Sequence, residues 1–133
     1  MMTIHLSAES KTTTARLSMP NAILRAEGAA LFVAAVACYV YLHASGWLFA
    51  ALILAPDLSA LGYLAGPRVG SVIYNTIHTL ILPMAVLALA LLTHSDPALA
   101  VSLIWLAHIG IDRALGFGIK YPTVFPDTHL QHV

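Results

Sequence analysis

Four apolar runs, Ala22 to Leu42, Gly46 to Gly66, Val69 to Leu92 and Pro97 to Leu115, fill most of this 133-residue chain. Each is close to the roughly 20 residues a helix needs to cross about 30 Å of hydrocarbon. No other feature restricts the fold so severely. A backbone in lipid must satisfy its own hydrogen bonds, and only helices and closed barrels do so. The runs are continuous and rich in Leu and Ala, whereas the strands of a membrane barrel alternate with a period of two. The expected fold class is therefore all-α: an integral membrane bundle of four antiparallel helices. Composition agrees, with 59% hydrophobic and 9% charged residues against roughly 45–50% and 25% in a soluble domain. A chain of this length is expected to form one domain.

The gaps between the runs carry turn chemistry: His43-Ala44-Ser45-Gly46, Gly66-Pro67-Arg68 and Thr93-His94-Ser95-Asp96-Pro97. Connections this short make consecutive helices antiparallel neighbours. The six basic residues, Lys11, Arg16, Arg25, Arg68, Arg113 and Lys120, all fall before or early in the first run, in the second connection or near the C-terminus. Because basic residues mark cytoplasmic ends, both termini are expected in the cytoplasm. Residues 1–21 are rich in Ser and Thr and lack the apolar content to pack, which predicts a disordered cytoplasmic tail ahead of a transmembrane domain over 22–133. Gly116, Gly118 and Pro122 oppose continued helix, so an irregular C-terminal segment is expected.

A rival reading takes Ala29 to Leu42 as the core of a signal peptide, with His43-Ala44-Ser45 as its cleavage site. The long basic lead and Glu27 weigh against it. Zero formal net charge provides no general basic field for nucleic acid, and no glycine-rich loop is present to cradle phosphates. Cys38 is the only cysteine; it reads as a small buried hydrophobe and excludes both a disulfide framework and a cysteine metal cluster. The lipid bilayer is the expected partner, with no nucleic acid.

Within the runs stand Glu27, Asp57, Asn75, His78, His108 and Asp112. A charged Asp at the centre of a membrane helix costs roughly 2.5–3.5 kcal/mol, so these groups need partners. At 1.5 Å per residue, Asp57 and His108 each lie about 16 Å from the outer ends of their runs, and His78 about 13 Å from its inner end. Three helices thus bring titratable groups to one level. Asn75 and Asp112 fall about one turn nearer the cytoplasm, with Glu27 nearer still. His108 and Asp112, spaced i, i+4, share a helix face.

Two imidazoles and two carboxylates suit a divalent metal, zinc or iron. His78, His108 and Asp112 are the expected ligands, with Asp57 as a fourth ligand or as the general base for metal-bound water. Glu27 and Asn75 would support them. Asp127 and His129 offer a C-terminal lid over the cytoplasmic side of the cluster. Two other readings remain open: a proton or ion relay, and a polar network that only ties the helices together.

With these residues in view, LAPDLSALGYLAGPRVGSVIYNTIHTLILP and IWLAHIGIDRALGFGIKYPTVFPDTHL, preceded by LRAEG at Leu24 to Gly28, resemble the small bacterial membrane proteins grouped as domain of unknown function 4260. The likeness runs from Leu24 to Leu130 and names no activity. It implies a multi-pass protein of the bacterial inner membrane. It also implies that Glu27, Asp57, Asn75, His78, His108, Asp112, Asp127 and His129 belong to the family's pattern, and Tyr63 joins them on that ground alone. A looser likeness to small membrane-bound metal-dependent hydrolases lacks any HEXXH, DXXD or nucleophile-elbow motif.

Three functions follow as alternatives. One is a metal-dependent membrane hydrolase of a lipid-like or small-molecule substrate. Another is a proton- or solute-binding transport module, for which four short helices would need a homo-oligomer. The third is a structural accessory protein.

Overall fold

The computed structural model describes residues 19–118. The first 18 residues of the expected tail, and Lys120, Asp127 and His129 of the C-terminal segment, lie outside the described residues. The elements are α1 (Met19–Tyr41), α2 (Gly46–Leu52), a 3-10 helix (Ala55–Ala65), α3 (Pro67–His78), α4 (Ile81–Thr93) and α5 (Asp96–Leu115). Among the described residues there is no strand. Together they make four segments long and apolar enough to cross a membrane: Met19–Tyr41, Gly46–Ala65, Pro67–Thr93 and Asp96–Leu115. The limits read from hydropathy lie within three residues of these.

The turn residues act where they stand. Ser45 caps α2 by accepting the Leu48 N–H at 3.2 Å, and Ser95 caps α5 by accepting that of Ala98 at 3.4 Å. Such caps satisfy donors that the first helical turn leaves without partners.

α5 is the core of the molecule, packed along α1 and α4 and touching α2. Ile104, Ala107 and Ile109 are almost wholly buried on it. Its contact with α1 depends on two glycines. A Cβ on Gly110 would lie 2.6 Å from the Phe32 nitrogen and 2.8 Å from the Gly28 carbonyl oxygen, and one on Gly28 would lie 2.6 Å from the Arg113 Cβ. Small residues let helix backbones approach this closely without water or a hydrophobic drive. The 3-10 helix packs separately on α3, where the Tyr63 ring covers Gly70.

The outer surface is apolar: Leu64 is 88% and Leu92 79% exposed. Soluble monomers rarely expose contiguous apolar patches larger than roughly a few hundred Å². Cys38, expected to be buried, is exposed on α1; an apolar run in such a chain need not face the protein interior.

Two of the four segments are broken, each at a proline. Pro56 has no N–H to give the Leu52 carbonyl, so α2 stops there. Asp57 N–H then bonds to the Leu54 carbonyl at 3.1 Å, the tighter 3-10 spacing, and so leaves the Ile53 carbonyl without its α-helical donor. Pro83 likewise offers nothing to the Thr79 carbonyl. Thr79 turns extended (ψ 152°) and separates α3 from α4. In a continuous helix Ile81 N–H would bond to the Ile77 carbonyl; here that carbonyl accepts the Trp105 Nε1–H at 2.7 Å. Both breaks expose backbone carbonyls inside the bundle, and both are met by side chains of α5.

Candidate metal centre

The freed carbonyl of Ile53 decides how His108 presents itself. His108 Nδ1 lies 2.6 Å from it, and a carbonyl oxygen only accepts, so Nδ1 carries the proton. The same logic applies on α3, where His78 Nδ1 lies 2.9 Å from the Tyr74 carbonyl. In each neutral imidazole the lone pair therefore sits on Nε2. The Tyr74 ring also stacks on that of His78, with centroids 3.7 Å apart and planes 9° from parallel. Both rings are held in orientation and tautomer by neighbours of the kind that tune metal-binding histidines.

The two Nε2 atoms face each other at 3.2 Å. Asp57 Oδ1 lies 3.3 Å from His108 Nε2 and 3.5 Å from His78 Nε2. Asp112 Oδ2 lies 3.1 Å and 3.6 Å from the same two atoms. All four ligand atoms lie within 4.8 Å of one another. Bonds of about 2.0–2.1 Å from a tetrahedral ion to N and O ligands give ligand–ligand edges of about 3.3–3.4 Å. Five of the six edges, at 3.1 to 3.6 Å, bracket that value. The group can hold a metal ion, and its donor set of two nitrogens and two oxygens suits a borderline divalent one.

Charge argues the same way. A divalent ion with two carboxylates and two neutral imidazoles is uncharged overall, which removes most of the penalty of burying ions. Burial is unequal, however: the side chains of His108, His78 and Asp112 are 2%, 5% and 19% exposed, whereas that of Asp57 is 49% exposed. Asp57, on the 3-10 helix, forms the open side of the cluster.

The structure thus brings together Asp57, His78, His108 and Asp112. Among the described residues, the other sequence candidates Glu27, Tyr63 and Asn75 are not part of this group of four. Glu27 is exposed on α1 and acts electrostatically on Arg113. Asn75 precedes His78 by one turn and ends α3 by accepting the Thr79 N–H at 2.9 Å through its carbonyl. Tyr63 packs on Gly70. Asp127 and His129 are outside the described residues.

Sequence reasoning missed Tyr74 and the Ile53 carbonyl. The i, i+4 spacing of Tyr74 and His78 was available as a signal for the first. Pro56, three residues after Ile53, marked the second only as a break.

The family model described as domain of unknown function DUF4260 matches residues 21–133. No curated protein and no solved structure matches the chain.

Proposed function

The chain belongs to the DUF4260 family, and for this member we propose a divalent metal centre inside a membrane-spanning bundle, with hydrolysis of a lipid or other membrane-embedded small molecule as its chemistry. The observation that carries the reading is the approach of the two histidine Nε2 atoms to 3.2 Å while both Nδ1 protons are given to carbonyls. Two lone pairs that close repel each other unless a cation lies between them.

The alternatives fit less well. A structural network of two imidazolium–carboxylate pairs would place two N–H protons in that same gap. One shared proton, as in a relay, would leave a net negative charge on a cluster whose two histidines are buried. A divalent ion avoids both difficulties. In the membrane placement this reading adopts, both termini face the cytoplasm.

His78, His108 and Asp112 would hold the ion, and Asp57, the most exposed of the four at 49%, would be free to act as a base. Catalytic zinc sites keep three protein ligands and an open position for water. A metal bound there would supply acidity, bringing the pKa of a water towards about 7. Asp57 would accept the proton of the attacking water. For an ester, the water oxygen bonds to the acyl carbon as the carbon–oxygen bond to the alcohol breaks. The proton passes from Asp57 to the departing alkoxide, giving one acid and one alcohol.

Chelation tests the centre and Asp57→Asn the chemistry. Treating the detergent-purified chain with EDTA is expected to lower its melting temperature by several degrees, with recovery on adding Zn²⁺. A ligand at 100 times its dissociation constant stabilises by about 2.7 kcal/mol. Asp57→Asn is expected to retain metal and lose metal-dependent turnover of long-chain p-nitrophenyl esters. Melting indifferent to chelator and to added Zn²⁺, or full turnover by Asp57→Asn, would contradict the corresponding half of the proposal.

A further inference from the structure

A cavity of about 230 Å³ is bounded by chain neighbours of the candidate ligands, among them Ala55, Pro56, Ile77, Val101, Ile104 and Trp105. Its walls are tied to the ligands through the chain. Pro56 precedes Asp57, Ile77 precedes His78, and Ile104 lies one helical turn before His108. The cavity also reaches the outer surface, since Val101 is 39% exposed. Every lining side chain is apolar except the Trp105 indole, and its N–H is already given to the Ile77 carbonyl at 2.7 Å. An occupant of this cavity therefore needs no hydrogen-bonding group where it touches the wall.

A second, water-sized space lies further along α5. It measures about 10 Å³ and is bounded by His78, Asp112, Arg113 and Gly118, among others. That is close to the volume needed for a single water. The apolar cavity thus lies at one level of α5, bounded by chain neighbours of the ligands, and the water-sized space lies towards its C-terminal end, bounded by His78 and Asp112 themselves.

We propose that the larger cavity takes one hydrocarbon chain of a membrane lipid and so brings that lipid to the ligands carried by its walls, which makes the substrate class a chain-bearing lipid rather than a water-soluble ester. The inference rests on the hydrolase reading and adds the substrate. Three observations select this occupant. The cavity opens in the middle of segments apolar enough to cross a membrane, where hydrocarbon is the surrounding medium. Its volume of about 230 Å³ falls below the roughly 300–1,000 Å³ of pockets for drug-sized molecules, so it admits part of one chain rather than a whole lipid. Its walls continue directly into the backbone that carries Asp57 and His78.

Photolabelling tests the proposal without relying on turnover. The metal-replete full chain is placed in phosphatidylcholine nanodiscs containing phosphatidylcholine with a diazirine in one acyl chain, irradiated, digested and mapped by mass spectrometry. Label is expected at Ala55, Val101 and Trp105 severalfold above that at Leu64 and Leu92, which are more exposed at 88% and 79%. Ala55→Phe, which fills the cavity, is expected to bring its labelling down to the level of Leu64 while metal content stays that of wild type. Val101→Phe provides the same comparison from another wall if Ala55→Phe does not fold.

Labelling no greater in the cavity than at Leu64 and Leu92, or unchanged by filling it, overturns the proposal. Metal content measured on the same samples separates the two readings. Bound metal without selective label sinks the lipid cavity alone. Selective label without bound metal sinks the hydrolase and, with it, the assignment of the lipid as substrate.

Discussion

His108→Ala is expected to reduce bound metal from about one ion per chain to background under conditions that saturate the wild type. The size of the effect follows from its place in the cluster. His108 Nε2 makes edges of 3.1, 3.2 and 3.3 Å with Asp112, His78 and Asp57, the three shortest of the five measured. Losing an outer partner of a ligand typically costs 10–100-fold in metal affinity, and losing the ligand itself costs more.

Stability should fall as well. Without the ion, the Asp57 and Asp112 carboxylates face each other with only His78 between them. Because Asp57 is half-exposed, the cost is smaller than the about 3–5 kcal/mol of breaking a wholly buried charge pair. His43→Ala, in an exposed turn, is the matched control and should keep both metal and stability. Elemental analysis with thermal melting checks the set; a His108→Ala protein with a full complement of metal would remove His108 from the ligands.

Gly110→Val is expected to be the most damaging substitution outside the ligand set. The added Cβ would meet the Phe32 nitrogen at 2.6 Å and the Gly28 carbonyl oxygen at 2.8 Å. These are backbone atoms, so no side chain can rotate aside and α1 must move off α5. Overpacking usually costs about 1–3 kcal/mol, and a backbone obstacle places this case at or above the upper end.

The damage should also reach the metal. Gly110 stands midway between His108 and Asp112 on α5, so a helix displaced at that point carries two ligands with it. Gly46→Val, where a Cβ meets nothing within 4 Å, is the comparison. A Gly110→Val protein that melts with wild type and binds metal normally would show that the α1–α5 crossing has more room than these distances allow.

These two residues also mark how far the sequence could be read. The helical segments were legible because hydropathy over some 20 residues depends on composition, not on neighbours. His78, His108 and Asp57 could be brought to one level because antiparallel helices of known rise act as rulers. Asp112 followed from its i, i+4 relation to His108. The contact between Gly28 and Gly110 could not be found that way, since periodicity describes one helix at a time and says nothing about where two helices cross.

The backbone breaks were half visible. Pro56 and Pro83 announced lost hydrogen bonds, but which side chains would take the stranded carbonyls depended on the packing of α5. The pairing of Ile53 with His108 and of Ile77 with Trp105 is therefore a tertiary result. Arg113 shows a similar limit. Its helical angle points it about 140° away from His108 at 100° per residue, yet it bounds the small space beside His78 and Asp112, because a long side chain reaches beyond the face from which it starts.

X-ray absorption at the metal edge, on freshly purified wild-type chain quantified by elemental analysis, tests the central claim most directly. The account predicts one divalent ion per chain with about four nitrogen or oxygen neighbours at about 2.0–2.1 Å, imidazole scattering and no sulfur. No ion above background, or an ion surrounded by oxygen alone without imidazole, would contradict it.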